Sequence, residues 1–352
     1  MWLETQIFCE DLESIHNCKS IPWDLLRNKT FFVTGGTGLI GSTIISTLLY
    51  ADMKQQLNLT VVALVRNLTA AREQFASQLK SSSSLKFVVG DVLRLPAVEY
   101  PVHYIIHGAN PTSSLFFVKH PVETSITAVQ GTDRLLQLAR EKKTEGFVYL
   151  STMEVYGHPL KGRKVRETDA GAFYPLDIRN SYPFSKLLCE NLCYSYLSEY
   201  GVPVQIIRLT QCFGPGVRYT DNRVFAEFAR CAIERRNIIL KTKGNTERSY
   251  LYTADAATAI LTVLLKGKNG EIYNAANENT YCSILEMANL VARDRDIKVE
   301  IKETDIAESG YADTIYMDLD TEKICSLGWE ATVGLLEMYQ KTIKVMTGER
   351  IL

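Results

Sequence analysis

The sequence predicts an α/β fold: a doubly wound parallel sheet of the Rossmann type with a smaller, interleaved C-terminal lobe. Between Thr30 and Leu209, short apolar runs alternate with helix-length amphipathic stretches, which is typical of parallel strands covered on both faces. A glycine-rich turn follows the first of these runs. After Leu209 the alternation gives way to short strands and helices of mixed spacing, which indicates a second lobe.

The elements can be justified in chain order. Residues 1–28 are an N-terminal extension with apolar side chains at helical spacing, and we predict that it packs on the main domain rather than forming a partner-binding arm. The predicted strands of the main sheet are FFVTG, LTVVALV, LKFVVGD, VHYIIHGA, FVYLST and VPVQIIRLT. Beyond them we predict a helix near Val224 to Arg236, short strands at EIYNAAN and KVEIKE, and a helix that Ser283 begins.

Composition limits the classes of protein that fit. The chain has 352 residues, 46% of them hydrophobic, and a net charge of -1 without a basic stripe, so we expect a globular protein that binds no nucleic acid. No apolar run approaches the roughly 18 to 20 residues of a membrane span, and the acidic N-terminus is unlike a signal peptide, so we expect a cytoplasmic protein without a membrane segment. The eight cysteines and five histidines show no zinc spacing, which predicts no metal site and reduced, mostly buried thiols.

The glycine-rich turn carries the first functional signal. Gly35, Gly38 and Gly41 lie in TGGTGLIG, directly between a predicted strand and a predicted helix. Glycines let the backbone approach a pyrophosphate, and the amides at the helix start, which include those of Leu39 and Ile40, face the anion. In this strand–turn–helix context the motif predicts a site for a dinucleotide cofactor.

Two further strand ends bear on the cofactor. The second strand ends in Arg66 and Asn67, where an acidic residue would bind the ribose of NAD. A guanidinium suits a 2′-phosphate, which slightly favours NADP over NAD, although Arg66 fits a solvated strand end equally well. Asp91 and Val92 follow the third strand, and Asp91 is either a contact of the adenine amino group or a plain loop acid.

Tyr182 and Lys186 form the second functional signal. They are four residues apart, on one face of a predicted helix. A nearby cation stabilises a phenolate, which can remove a hydroxyl proton as hydride leaves carbon. Thr152, at the end of FVYLST, supplies a hydroxyl that can bridge the substrate and the phenol. Alone, the tyrosine–lysine spacing would indicate an ordinary helix surface; together with the glycine turn it indicates catalysis.

These motifs in combination resemble the extended short-chain dehydrogenase/reductase family, the nucleotide-sugar epimerases and dehydratases, over about residues 29 to 340. The motifs are TGGTGLIG, STMEVYG, Tyr182 with Lys186, RLTQCFGPG and GNTERSYLYTADAA. The resemblance implies that Thr152, Tyr182 and Lys186 are catalytic, with Tyr182 as the base, and that Gly108 and Ala109 contact the cofactor. It also implies a homodimer through paired helices on the flank of the sheet, and a structural, helix-capping role for Asp255.

The same resemblance implies a nucleoside diphosphate sugar as the substrate. The residues that it implies for substrate contact are Thr112, Ser113, Met153, Arg179, Gln211, Val224, Phe225 and Arg248. Its domain boundaries assign residues 29–212 and 249–267 to the NAD(P)-binding Rossmann domain, and residues 213–248 and 268–352 to the substrate domain.

The residues after Thr152 bear on the reaction that follows oxidation at C4. Glu154 matches a glutamate of the dehydratases and of the UDP-glucuronate decarboxylases, and it could be a general base at C5. Met153 stands where the dehydratases have an aspartic acid, and a thioether cannot donate a proton. The arginine that pairs with the sugar carboxylate in decarboxylases has no clear match, since its position falls near Tyr316. Gln211 replaces the usual asparagine.

Four functions therefore stay open. The first is an NAD(P)-dependent epimerase or dehydratase that acts through a 4-keto intermediate, with Tyr182 as base and Glu154 assisting at C5. The second is a UDP-glucuronate decarboxylase in which Arg179 or Arg218 pairs with the carboxylate. The third is an NADPH-dependent reductase of 4-keto sugars. The fourth, a catalytically silent NADP-binding protein, predicts a damaged catalytic set, whereas the set is intact here.

Overall fold

A seven-stranded parallel sheet is the centre of the protein in the computed structural model, which describes residues 2–303 and 314–348. The remaining parts of the predicted substrate domain, 304–313 and 349–352, lie outside the described residues. The strand order is β10-β6-β5-β4-β1-β2-β3. The strands are β1 (Thr30–Thr34), β2 (Thr60–Val65), β3 (Leu85–Val89), β4 (Tyr104–His107), β5 (Gly146–Thr152), β6 (Val204–Leu209) and β10 (Ile272–Ala275).

This architecture confirms the predicted fold class and all six predicted strands of the main sheet. One assignment differs. The segment EIYNAAN was predicted as a strand of the C-terminal lobe, but its strand β10 pairs in parallel with β6 and extends the main sheet. The physical reason is that β6 would otherwise present an unpaired edge of backbone amides and carbonyls.

The helices cover both faces of the sheet. Their apolar side chains form two clusters, one around α2 and α9 and the other around α6 and α7. Alternate residues of each strand enter opposite clusters: Phe31 and Val33 pack on one side, and Phe32 packs on the other. The helices are α1 (Gln6–His16), α2 (Leu39–Gln55), α3 (Leu68–Gln74), α4 (Ala76–Ser81), α5 (Ser114–Lys119), α6 (Pro121–Lys142), α7 (Ser181–Tyr200), α8 (Val224–Glu234), α9 (Thr253–Lys266), α10 (Ile284–Arg295), α11 (Glu322–Cys325) and α12 (Leu335–Met346).

The C-terminal lobe is built on two small sheets. In the first, β9 pairs with β11, β13 and β7; in the second, β8 pairs with β12. Ser283 begins α10 as predicted, and a capping box with Glu286 satisfies the first amides of that helix. The strands of these two sheets are β7 (Gln211–Phe213), β8 (Ile238–Leu240), β9 (Glu247–Tyr252), β11 (Asn277–Ser283), β12 (Val299–Ile301) and β13 (Tyr316–Met317).

The N-terminal extension packs on the main domain, as predicted. Helix α1 contacts α2 and α9, and it buries Phe8, Leu12 and Ile15. Asp11, also buried, accepts hydrogen bonds from the Tyr252 hydroxyl at 2.5 Å and from the Lys341 ammonium at 3.1 Å. This segment therefore joins the phosphate-turn helix to the C-terminal helix α12.

Two smaller predictions were wrong. Asp255 does not cap its own helix: it accepts from the Thr332 and Val333 amides, both at 3.0 Å, and so fixes the loop before α12. The cysteines are unpaired, but only Cys189, Cys193 and Cys231 are buried, whereas Cys9 and Cys325 lie at exposed positions of short helices. Within the described part of the chain, no helix is long and apolar enough to cross a membrane.

Candidate active site

The glycine turn lies between β1 and α2, at the carboxyl edge of the sheet. Gly35 has a left-handed backbone, with φ of 71°, and a Cβ there would stand 2.8 Å from the Gly108 carbonyl carbon. A Cβ on Gly41 would stand 2.2 Å from the Gly35 oxygen, so neither position accepts a side chain. Gly38 is the N-cap of α2 and offers no side-chain cap, which leaves the first amides of the helix, at Leu39 and Ile40, for an anion.

The residues at the end of β4 and directly after it pack against the glycine turn. His107 donates or accepts at both ring nitrogens, to Thr34 at 2.8 Å and to Thr132 at 3.1 Å. Complete burial, with a smaller effect of the Lys186 charge, lowers the pKa of His107 to about 3, so the ring is neutral and structural. The Ala109 amide donates to the Thr34 hydroxyl at 3.2 Å. The predicted cofactor residues Gly108 and Ala109 therefore lie directly beside the glycine turn.

The predicted ribose and adenine contacts lie at the neighbouring strand ends. Arg66 is exposed after β2, and it has no hydrogen bond or ion pair within residues 2–303 and 314–348. The Asn67 side chain caps α3 by accepting from the Ala70 amide at 3.0 Å. Asp91 accepts from the Leu93 amide at 2.9 Å, so one of its oxygens organises its own loop. Their roles toward a cofactor stay predictions.

Tyr182 and Lys186 come together beside the end of β5. The buried Tyr182 ring stacks on Phe117, with 4.9 Å between centroids, and the Lys186 ammonium lies 5.9 Å from the Tyr182 ring centroid. Lys186 donates to the Leu150 carbonyl at 2.7 Å, which holds it against β5. The Thr152 hydroxyl accepts from the Glu154 amide at 3.3 Å, and Thr152 lies near enough to Tyr182 to lower the pKa of that phenol. The three residues predicted as a catalytic set thus share one location.

Two pKa shifts describe this group. Burial lowers the pKa of Lys186 to about 8, so its ammonium persists at neutral pH. Burial, and then the negative charge of Glu154, raise the pKa of Tyr182, whereas the Thr152 hydrogen bond and the Arg223 charge lower it. The phenol therefore holds its proton in the protein alone, and base action requires further positive charge in the site.

Glu154 faces Tyr182 from the short 3₁₀ helix that follows β5. Burial raises its pKa, whereas the positive charges of Arg179 and Arg248 lower it. A raised carboxyl pKa is typical of groups that transfer protons. Arg248 also donates to the Gln211 side chain at 3.3 Å, and its buried Nε atom has no partner among the described residues. The arrangement is a buried carboxyl group with two arginines near enough for their charges to act on it.

The other residues predicted to contact the substrate differ in how exposed their side chains are. Thr112 and Ser113 are exposed before α5, and Val224 begins α8. The Met153 side chain is buried, and its sulfur accepts from the Thr210 hydroxyl at 3.3 Å. Phe225 is fully buried and stacks on Phe213, with 4.8 Å between centroids, so only its backbone is free for a ligand.

Three features near the site were missed by the sequence analysis. Arg223 forms an ion pair with Asp221 at 2.5 Å, and its charge reaches Tyr182. Glu190 and Arg208 form a buried ion pair at 2.6 Å beneath the end of β5. Both amide atoms of Asn110 are buried without a partner. Only Glu190 had a sequence signal, since it lies four residues after Lys186 on the same helix.

The chemistry of the donor groups at the glycine turn fits a dinucleotide. Open amides at the start of α2 and side-chain-free backbone suit a pyrophosphate. In residues 2–303 and 314–348, no cluster of three His, Cys, Asp or Glu side chains is placed to hold a metal ion.

A doubly wound sheet, a glycine phosphate turn and a Thr–Tyr–Lys group at the strand ends define an extended short-chain dehydrogenase/reductase. The chain belongs to the NAD-dependent epimerase/dehydratase family, whose sequence model matches residues 31–276. It is 30% identical to a dTDP-D-glucose 4,6-dehydratase of Homo sapiens over 345 residues, 93% of each chain. It is 29% identical to UDP-glucuronic acid decarboxylase 6 of Arabidopsis thaliana over 320 residues, 89% of each chain.

Solved structures show the same fold. A dTDP-glucose 4,6-dehydratase from Streptomyces venezuelae, described with NAD bound, has a TM-score of 0.76 at 24% identity and covers 91% of this chain and 98% of its own. A UDP-glucose 4-epimerase from Thermotoga maritima, described with UDP-glucose, has a TM-score of 0.75 at 21% identity and covers 91% of this chain and 99% of its own.

Proposed function

We propose that the protein is an NAD(P)-dependent epimerase or dehydratase of a nucleoside diphosphate sugar and acts through a 4-keto intermediate. The observation that carries this proposal is that Glu154, on the short helix directly after β5, lies near enough to Tyr182 for its charge to raise the pKa of the phenol, because such a carboxyl group gives the site a second proton acceptor. Tyr182 removes the C4 hydroxyl proton, and Thr152 holds that hydroxyl. Glu154 then removes the proton on C5, which the adjacent ketone has made acidic.

The residues assigned to the dinucleotide are those of the turn and of the neighbouring strand ends. Gly35, Gly38 and Gly41 hold the pyrophosphate, and Lys186 holds the nicotinamide ribose beside Tyr182. When bound there, an oxidised nicotinamide would supply the hydride acceptor for C4 and a positive charge that would lower the pKa of Tyr182. Met153 cannot protonate a departing hydroxyl, so any dehydration relies on another acid, and Glu154 with its raised pKa is the nearest candidate.

Glu154→Gln is expected to permit oxidation at C4 but to abolish exchange at C5. The amide keeps the size of the side chain but cannot accept the C5 proton, and loss of a general base typically lowers a rate by about 10²–10⁴. The measurement is deuterium uptake into the sugar in heavy water, together with the absorbance of reduced cofactor. Glu330→Gln, at an exposed position in the loop between α11 and α12, is the matched control. Unimpaired uptake in the Glu154 variant would remove Glu154 from the mechanism.

A second candidate function is decarboxylation of UDP-glucuronate. It is supported by the decarboxylase relatives and by Arg179 and Arg248, whose charges reach the cleft and could pair with a sugar carboxylate. Arg218, the other cation considered, is exposed. Near the position of the missing arginine, the Lys161 ammonium lies 4.8 Å from the Tyr316 ring centroid, but it is paired with Glu247. Release of CO₂ from UDP-glucuronate, compared with a panel of neutral nucleotide sugars, separates the two functions.

Arg66→Asp is expected to shift cofactor preference from NADP toward NAD by about tenfold or more, because a carboxylate repels a 2′-phosphate and accepts from ribose hydroxyls. The measurement is the ratio of dissociation constants for NADPH and NADH. Arg72→Asp, an exposed arginine on the nearby α3, has the same charge change and serves as control. An unchanged ratio would mean that the ribose is bound elsewhere.

Two alternative functions have less support. A reductase of 4-keto sugars would consume NADPH steadily, whereas the proposed enzyme regenerates its cofactor in each turnover. A silent NADP-binding protein is disfavoured because Thr152, Tyr182 and Lys186 lie together. The cytoplasmic location predicted from the sequence stays a prediction.

We also propose a homodimer packed through α6 and α7. Its support is an exposed apolar surface on α5, α6 and α7. Val122 on α6 is 75% exposed and Leu188 on α7 is 52% exposed, which is unfavourable for a surface facing water. The other large apolar side chains of this surface are Leu115, Val118, Ile126 and Tyr194.

A further inference from the structure

Asn110 lies between the phosphate turn and the catalytic group. It follows β4 by three residues, in the segment Gly108 to Asn110. A Cβ on Gly35 would stand 3.0 Å from the Ala109 amide, and a Cβ on Gly108 would stand 2.9 Å from the Leu150 side chain. Leu150 is also the residue whose carbonyl holds Lys186. The segment is thus enclosed by the cofactor turn on one side and by β5 on the other.

The side chain of Asn110 has no partner in the protein. Both Oδ1 and Nδ2 are buried, and neither makes a hydrogen bond. Among the described residues it is the one side-chain amide with both polar atoms in this state, since Gln205 still donates to Asn269 at 2.6 Å. Buried amides almost always find partners, so an amide with none, in a segment between the glycine turn and β5, indicates that a ligand supplies them.

The missing hydrogen bonds are confined to the Asn110 side chain. One residue away, the Ala109 amide is bonded to Thr34, and the same hydroxyl meets His107 at 2.8 Å. The backbone of the segment is therefore fixed by hydrogen bonds, whereas the side-chain amide of Asn110 makes none.

The chemistry of an amide selects the ligand group. Its oxygen accepts and its nitrogen donates, so a complete match needs a group that both donates and accepts. A phosphate at neutral pH chiefly accepts, whereas neighbouring hydroxyls of a sugar ring do both. Sugar hydroxyls in this cleft come from two sources, the nicotinamide ribose of the cofactor and the hexose of the substrate.

We propose that Asn110 is a binding residue that holds a hydroxyl pair of a sugar ring through both atoms of its amide. This inference rests on the proposed function for the presence of those rings. It adds a specificity contact directly after β4, between the turn assigned to the phosphates and the tyrosine assigned as the base.

The test is Asn110→Leu, which keeps the approximate size and removes both polar atoms. Removing unpaired polar atoms should leave the melting temperature of the ligand-free protein unchanged or higher. Binding of a sugar ring should weaken by about tenfold, the usual scale of a lost hydrogen-bonding group. Titrations with NADH, UDP-glucose and UDP separate the sources. Weaker NADH indicates the ribose, and a smaller affinity gap between UDP-glucose and UDP indicates the hexose; either supports the proposal.

Asn277→Leu is the matched control. The Asn277 amide is buried and fully used, since it donates to the Val333 carbonyl at 2.9 Å and accepts from the Asn279 amide at 3.0 Å. This variant should lower the melting temperature and leave ligand binding in the folded fraction unchanged.

Unaltered affinity of Asn110→Leu for all three ligands, or a loss of melting temperature like that of the control without weaker binding, would overturn the proposal. If the leucine variant does not fold, Asn110→Ala is measured by the same titrations. A wild-type protein that binds NADH but converts no nucleotide sugar contradicts the proposed function alone, because the cofactor titration of the variant still reports on Asn110.

Discussion

Tyr182→Phe is expected to lower kcat by about 10²–10⁴ or more while dinucleotide binding is retained. The phenol oxygen is the only atom removed, and the ring keeps its stacking on Phe117. Lys186 stays tied to the Leu150 carbonyl, so the pocket keeps its shape. Turnover is measured by mass spectrometry of the nucleotide sugar, and cofactor affinity by fluorescence titration.

The control for this experiment lies on the same helix. Tyr196 is also on α7, and its hydroxyl donates to Asp133 at 2.6 Å, away from the catalytic group. Tyr196→Phe removes a bonded phenol oxygen without touching the site and should retain near-normal kcat. A Tyr182 variant that turns over as fast as the Tyr196 variant would rule out Tyr182 as the base.

Arg208→Met is expected to lower the free energy of unfolding by about 3–5 kcal/mol, because it leaves the Glu190 carboxylate buried without its partner. The guanidinium donates to Glu190 at 2.6 and 3.0 Å and to the Glu167 carbonyl at 3.0 Å. Ser151, next to Thr152, donates to the same carboxylate. Loss of Arg208 should therefore loosen the end of β5 that carries Thr152, the threonine proposed to hold the substrate hydroxyl. Denaturant unfolding followed by circular dichroism measures the loss.

Two further variants test the cause. Replacing both partners, Glu190→Leu with Arg208→Met, removes the unpaired charge and should recover most of the stability. Arg163→Met breaks an ion pair with Asp169 in which the arginine side chain is 62% exposed, so its effect should stay within about 0.5 kcal/mol. If Arg208→Met were as mild as Arg163→Met, the buried pair would not stabilise the sheet as argued.

The parts that sequence patterns predicted well are local. The glycine turn between β1 and α2 lies within the eight residues of TGGTGLIG, and Tyr182 and Lys186 lie about one turn apart on α7. Both features are determined by the local backbone geometry of a few consecutive residues. The same holds for Ser283, whose capping box needs only the next three residues. The prediction for Asp255 failed because its partners, Thr332 and Val333, lie more than seventy residues away.

Local spacing and composition determined the class of fold, the glycine turn after β1 and the placement of Tyr182 and Lys186 on one face of a helix. The folded sheet decided everything that depends on strands distant in sequence: the pairing of β10 with β6, the meeting of Glu154 with Arg179 and Arg248, and the unused amide of Asn110. The reason is physical. Burial, charge interactions and hydrogen-bond partners depend on contacts between elements that are distant in sequence, and those contacts form only when the chain folds.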